Sequence, residues 1–340
     1  MRPNTRTPAR AARHAIPAWM RRRWRTMRAS AILILTAALI LAAVSMMQAL
    51  NAVRMEREAA AAALLPTQGQ RETLEKAREY NERLSRDGQT MLGEVYDAFG
   101  STRTASEKDR DYQSALDVDG SGLMGSVSIP KIGIRLPVYH GTAEKTLLKG
   151  AGHMYGTSLP VGGKGTHAVV SAHNGLPDAL MFTHLDELEK GDVFRVTMAR
   201  RTLAYRATDI RIVLPTQWQS LKIQPGRDLV TLMTCTPYGV NTHRLLVTGE
   251  RIPDDEAPAD PGVDYWGVFR SDPLAQAAAA ATLTALAWTA RTGRVIRSER
   301  RIALGAPNAR DRRRMARDAA RRERRAAKAA RRRSGTHGDG

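Results

Sequence analysis

The chain has 340 residues, 53 Lys and Arg against 34 Asp and Glu, and a formal net charge of +19. Its single cysteine excludes an intramolecular disulfide framework. A net charge this basic would point to nucleic acid if it were spread along the chain, but it is confined to the ends. Residues 1–28 hold nine Arg and no acid; residues 291–340 hold 17 Arg, one Lys and five acids, which leaves residues 29–290 at −3. The central part is therefore not a nucleic-acid binder, and no nucleic-acid partner is expected.

In chain order, residues 1–28 read as a basic cytoplasmic tail. Ala29 to Leu50 is a stretch of 22 residues without a charge. At 1.5 Å per residue it spans a bilayer core. It is too long for the apolar part of a cleaved signal, so it reads as a retained transmembrane helix (29–50) with the Arg-rich start held inside. Residues 51–96, rich in Ala, Glu, Arg and Leu and interrupted by Pro66 and Gly69, predict a helical stalk. Residues 97–122 are polar and Gly/Ser/Asp-rich and predict a long exposed loop.

From residue 123 to 253, short β-type runs alternate with Gly and Pro. The predicted strands are Gly125–Ile129, Ile132–Val138, Thr166–Ala172, Asp192–Met198, Leu203–Val213, Leu229–Thr234 and Arg244–Glu250. Short helices are predicted around Ala143–Lys149 and Asp178–Glu187. Such spacing gives a barrel or a sandwich with one core. Residues 254–272 form a linker. Residues 273–290 are Ala-rich, preceded by Tyr265, Trp266 and Phe269 and followed by a basic flank. They read as a second transmembrane helix, with a soluble amphipathic helix as the alternative. The basic tail, residues 291–340, has the composition of a solvated helix or disordered segment lying along anionic lipid headgroups.

Chemistry is concentrated around Cys235. Its strand ends at Thr236-Pro237-Tyr238-Gly239, and the next strand begins at Arg244, so thiol and guanidinium can share one pocket. A lone thiol is either packing or chemistry. An arginine at a strand start is either a surface cation or an anion donor. A reactive thiol needs an imidazole nearby. Of eight histidines, His173 closes the strand Thr166–Ala172 and opens a loop with Gly175 and Pro177, so it too stands at a strand end. His140, His153, His167, His184 and His243 read as structural or surface residues. No His, Cys and carboxylate spacing suggests a metal, and no cofactor is expected.

The run Thr231-Leu-Met-Thr-Cys235 followed by Arg244 resembles the TLxTC…R signature of sortases, membrane-anchored cysteine transpeptidases of Gram-positive bacteria. Cys235 to Val247 is similar in particular to class C, the pilin polymerases. Ser128-Ile-Pro-Lys-Ile-Gly-Ile-Arg-Leu-Pro-Val-Tyr-His-Gly-Thr142, Gly152-His-Met-Tyr-Gly-Thr-Ser-Leu-Pro-Val-Gly162 and His173-Asn-Gly-Leu-Pro177 follow in the family's order. The resemblance covers roughly residues 120–252. It implies a mainly β fold, a closed eight-stranded sortase barrel with short helices, between the helical stalk and flanking transmembrane helices. It implies Cys235 as nucleophile, His173 as acid–base partner and Arg244 as oxyanion donor. The implied substrate is an LPxTG-type sorting signal cleaved between Thr and Gly, the acyl group passing to an amine such as a pilin lysine. Asn174 departs from the family's Arg at that place. Class C lids carry Asp-Pro-aromatic; here Asp97-Ala98-Phe99 stands in that region without the proline. A housekeeping sortase acting on cell-wall peptidoglycan, and a non-catalytic membrane-tethered binding protein, are the alternatives.

Overall fold

Alternating β-branched and apolar residues between turn-forming Gly and Pro favour short, half-buried strands. The computed structural model describes residues 16–63, 69–89, 91–93, 104–117, 120–176, 179–259, 273–304, 307 and 309–334. Its contacts group the chain into two units, Met1–Ala42 with Ala277–Gly340, and Ala43–Gln276.

The second unit holds the strands β1 Leu123–Ile129, β2 Ile134–His140, β3 Ala151–His153, β4 Thr166–Ser171, β5 Asn174–Leu176, β6 Ala179–Met181, β7 Val193–Met198, β8 Arg201–Val213, β9 Asp228–Thr236 and β10 His243–Arg251. Eight of them close a barrel in the order β1-β2-β3-β4-β9-β10-β8-β7, and β5 and β6 form a separate hairpin. The β2–β3 and β4–β9 pairs are parallel and the others antiparallel. An eight-stranded barrel has an interior just wide enough to be filled by side chains. Val127, Val138, Val170, Val196, Leu232 and Val247 fill this one, with Phe194 and Tyr205 stacked 5.8 Å apart.

Two helical stretches flank the barrel on the N-terminal side. The helix α1 runs from Ala18 to Ala63, and α2 covers Gln70–Asp87. The last turns of α1 meet the barrel: Met55 joins the core, and the Tyr139 hydroxyl donates to Glu58 Oε2 at 3.0 Å. On α2, Ala77 and Asn81 are buried. The Asn81 amide clasps Leu159 in both directions, Nδ2 donating to its carbonyl at 2.9 Å and Oδ1 accepting from its N–H at 2.6 Å. The stretch predicted as a stalk thus forms part of the barrel's shell.

Two expectations are corrected. The segment 97–122 is not simply an exposed loop: α3 Ala105–Lys108 and α4 Arg110–Ser114 follow one another, capped by Thr104 and Asp109. Tyr112 and Leu116 are fully buried in the main core. A polar composition hid these two anchors. Around Asp178–Glu187 no α-helix forms in the described part. Ala179–Met181 pairs with Asn174–Leu176, and Leu185–Glu187 is one 3-10 turn. The Phe182 N–H is drawn to the His173 carbonyl at 2.9 Å, a long-range bond that overrides helix propensity. The expected helix at Ala143–Lys149 is present as the single turn α5, Glu144–Leu147.

In the first unit, α6 Pro273–Ala303 and α7 Ala309–Ser334 accompany the start of α1. Among the described residues, one helix, α1, is long and apolar enough to cross a membrane by length and composition.

Candidate active site

Side chains on a strand alternate between its two faces, so burial along β9 assigns each residue a face. Val230 and Leu232 enter the main core, whereas Met233 packs in a second apolar cluster on the outer face. Cys235 shares the parity of Met233 and is half-buried. On β10, Leu245 and Val247 are core while Leu246 belongs to the outer cluster, so Arg244 faces out. On β4, Ala168, Val170 and Ala172 are core and Val169 is outer, and the alternation continues to His173.

Register then aligns the three. Arg244 pairs directly with Cys235 across the β9–β10 ladder, and with Val213 on its other side. Ser171 pairs with Met233, which stand two residues before His173 and Cys235 respectively. The pairing is prolonged past the strand by Ala172 N–H donating to the Met233 carbonyl at 3.1 Å and Thr234 Oγ1 donating to the Ala172 carbonyl at 2.8 Å. Adjacent strands lie about 4.8 Å apart, so thiol, imidazole and guanidinium stand on neighbouring strand ends of one face.

Each group has a distinct setting. The Asn174 amide donates to the Cys235 carbonyl at 2.7 Å, tying the loop after His173 to the nucleophile's own peptide. In the sequence Asn174 stands only as a departure from the family pattern, because this bond spans 61 positions and leaves no local signal. His173 Nε2 is buried and lies 3.5 Å from Glu144 Oε1 without hydrogen-bond alignment. Arg244 Nη1 donates to the carbonyls of Asn241 and His243 at 3.1 and 3.0 Å. These bonds hold one edge of the guanidinium, and Nε and Nη2 make no bond among the described residues. Gly175 adopts φ +79°, a conformation that favours glycine, where the His173 loop passes the exposed Tyr238 ring of the β9–β10 loop.

Beside the three groups lies an apolar floor. Val169, Leu221 and Leu246 are buried there, with Met233, Val213, Met154 and Leu92 packed against them. Leu92 reaches it because Gly93 N–H donates to the Tyr155 carbonyl at 2.8 Å. The chain therefore enters the floor just before residues 94–103. Asp97 and Phe99, the candidate lid residues, lie outside the described residues. Exposed Trp218, Tyr238 and Val240 stand on the two flanking loops.

The remaining histidines among the described residues have structural bonds. His167 Nε2 and Thr231 Oγ1 are 2.7 Å apart, and His167 Nδ1 faces the Lys222 carbonyl at 2.9 Å. His243 Nδ1 meets Thr242 Oγ1 at 2.9 Å, and His184 pairs with Glu187 at 2.8 Å. His140 is buried between the carbonyls of Ala115 and Gly122. His153 is fully buried, bonded to the Tyr112 hydroxyl at 2.9 Å and facing the Ser158 carbonyl at 2.8 Å. Burial pushes its pKa from the usual 6.5 down to about 4. The stability linked to this neutral ring is complete above pH ~6.5, is lost as pH falls, and is gone below ~4. The barrel is expected to lose about 2 kcal/mol between pH 7 and pH 5 from this group. Denaturant unfolding at the two pH values checks it, and His153→Gln should reduce the dependence, leaving the part from His140 and His167, whose pKa values burial also lowers. Equal slopes in the two proteins would exclude His153 as the source.

Among the described residues no group of three or more His, Cys, Asp or Glu is arranged to hold a metal ion. What remains is a thiol, an imidazole and a guanidinium beside an apolar cluster, a set suited to acyl transfer through a covalent thioester.

Comparison with known proteins agrees with this geometry. The sortase domain model matches residues 127–252. Sortase A of Bacillus anthracis is 31% identical over 126 residues, which cover 37% of this chain and 58% of that protein. Sortase A of Streptococcus agalactiae is 31% identical over 127 residues, covering 36% and 51%. The chain thus spans between half and three-fifths of the length of these curated relatives. Among solved structures, sortase C1 of Streptococcus agalactiae is 40% identical, covers 59% of this chain and 99% of its own, and superposes with a TM-score of 0.52. Sortase C of Streptococcus pneumoniae, whose structure bears on catalysis and pilin substrate specificity, is 38% identical, covers 60% and 98%, and has a TM-score of 0.50.

Proposed function

This chain belongs to the sortase family, and on that basis we propose that it is a membrane-anchored cysteine transpeptidase that joins pilin subunits. The observation that carries the reading is the shared register of β4, β9 and β10, which brings His173, Cys235 and Arg244 to one outer face beside an apolar cluster. In this reading an extended LPxTG-type sorting signal lies along this apolar surface. Cys235, its proton held by His173, attacks the Thr carbonyl of the Thr–Gly bond. Arg244 donates to the oxyanion of the tetrahedral intermediate. Collapse breaks the C–N bond, and His173 gives its proton to the departing glycine amine. The acyl thioester on Cys235 is then attacked by an amine, a pilin lysine in this reading, which frees the thiol.

The class C neighbours, at 40% and 38% identity, support a pilin acceptor over peptidoglycan. A housekeeping role would instead use a cell-wall peptide amine, and the two separate by which acceptor resolves the thioester faster. Incubation with an LPxTG-type peptide, followed by intact mass measurement, should show an adduct on Cys235 equal to the peptide truncated after Thr. A chain that forms no such adduct and whose Cys235 also resists a small alkylating agent at neutral pH has an inert thiol, as a non-catalytic binding protein would. His173→Ala should stay folded and lose at least about 10²-fold in turnover, the usual contribution of a positioned acid–base group.

Anchoring follows from the apolar segments. On α1, Ile32, Leu33 and Ile40 are 63–71% exposed, and on α6 Leu283 is 69% exposed, as lipid-facing residues would be. We take residues 29–50 and 273–290 as two spans, with both basic ends cytoplasmic and the barrel outside.

The lid belongs to the same reading. Leu92 packs on the apolar floor, and Asp97 and Phe99 follow within seven residues. An exposed Asp97–Arg244 pair contributes only ~0–1 kcal/mol, and without proline the motif is less rigid. Asp97→Ala with Phe99→Ala should therefore raise the rate of Cys235 alkylation only several-fold. Equal rates in parent and variant would remove the lid role from these two residues.

A further inference from the structure

Helix α7 has a use that a transpeptidase does not require. Arg310, Arg314, Arg317, Arg321 and Arg324 repeat at spacings of four, three, four and three. That repeat keeps all five on one face of a helix, over a length of about 21 Å. Arg313 adjoins the same face, and the acid in it, Asp318, stands 3.9 Å from Arg314. Beyond the first turn, every α7 residue whose burial is described is exposed. Among the described residues the seam is thus turned to solvent.

The first turn of α7, by contrast, is fixed. Asp311 is buried and accepts from Ser298 Oγ at 2.6 Å and from Arg301 Nε at 2.8 Å. In one continuous helix, residues 298 and 311 would be about 20 Å apart. Their contact shows that the chain turns sharply after Ala303, and α7 leaves the axis of α6. The end of α6 is itself tied to the basic start of α1. Trp24 Nε1 donates to Glu299 Oε2 at 2.7 Å, and Arg23 lies 3.6 Å from Glu299. Further along, Thr282 Oγ1 reaches the Ala38 carbonyl at 3.5 Å, so the two helices run antiparallel. Small residues at intervals of seven line the contact, Ala31 and Ala38 on α1 and Ala278 and Ala285 on α6. The arginines at the start of α1 and the start of α7 therefore lie at the same end of this helix pair.

We propose that α7 is an elbowed arm whose arginine seam binds the headgroups of anionic phospholipids in the leaflet where α1 begins. The inference rests on the reading of α1 and α6 as membrane spans. Phosphate-bearing headgroups are chosen over nucleic acid because the elbow starts at the end of the helix pair taken as spanning the membrane. A row of guanidiniums there meets a two-dimensional array of phosphates, each contact adding to surface attraction.

The test uses the full chain in nanodiscs, which leave both membrane faces open, made of phosphatidylcholine alone or with about 30% phosphatidylglycerol. Hydrogen exchange of the backbone amides of residues 312–327 is read at low salt. Anionic discs should slow it about tenfold, and 0.5 M NaCl should remove the effect by screening. Arg314→Gln, Arg317→Gln and Arg321→Gln together keep helix propensity and should abolish the difference between the discs. Equal exchange in both discs overturns the proposal. So does protection that appears only with an added RNA or DNA duplex. Acyl-enzyme formation measured in the same discs reports on the barrel separately, and partition of the chain into discs reports on the spans. Failure of the arm is thereby distinguished from failure of the reading beneath it.

Discussion

Cys235→Ala is expected to abolish both cleavage of an LPxTG-type peptide and transfer to any amine, while leaving the barrel folded. The chain has no second thiol to take over the attack. Cys235 is half-buried at the end of β9, and its carbonyl, not its sulfur, carries the bond to Asn174. Removing one sulfur at such a place should cost about 1 kcal/mol or less in stability. Loss of activity would then reflect chemistry. Cys235→Ser should be almost as inactive, because a hydroxyl is far harder to ionise than a thiol beside the same imidazole. Unfolding curves and a peptide-cleavage assay on the same preparations decide it. Residual thioester-type turnover in the alanine variant would end the assignment of Cys235.

Arg244→Ala should reduce turnover by about 10²–10³, the usual effect of losing one oxyanion donor. Two of its bonds, to the carbonyls of Asn241 and His243, orient the guanidinium from below. Lysine cannot reproduce a planar fork that is held on one edge and donates from the other. Arg244→Lys should therefore recover little of the lost rate, although the charge is kept. Should lysine restore near-parent turnover, Arg244 acts through its charge alone and the fork geometry has no part. Because Arg244 pairs with Cys235 across the ladder, the adduct mass on Cys235 should still be detectable, only slower to form.

The long strands were readable because their residues alternate and their ends carry Gly, Pro and Asn. β8, β9 and β10 run within two residues of their expected bounds. Strand ends also made Cys235, His173 and Arg244 stand out as candidates. Three-residue strands such as β3 and β5 have too few positions to show a period, so they passed as loops. The helix expected at 178–187 failed for a related reason: a short apolar run has no intrinsic preference strong enough to resist a sheet partner. Tyr112, buried in a stretch of Asp, Ser and Gly, was invisible because its burial comes from His140, His153 and Tyr155 around it.

By itself the sequence determined the local quantities: where the apolar spans lie, which runs alternate, where charge accumulates, and that one thiol exists. Each is set by neighbours within a few residues, through backbone propensity and side-chain periodicity. Tertiary structure alone decided which ends meet. The parallel pairing of β4 with β9 joins residues 62 positions apart, and it alone puts His173 beside Cys235. The apolar floor likewise draws Leu92, Met154, Val169, Leu221 and Leu246 from five separate segments. Such contacts are chosen by the closure of the barrel, a condition on the whole sheet that no single stretch of chain encodes.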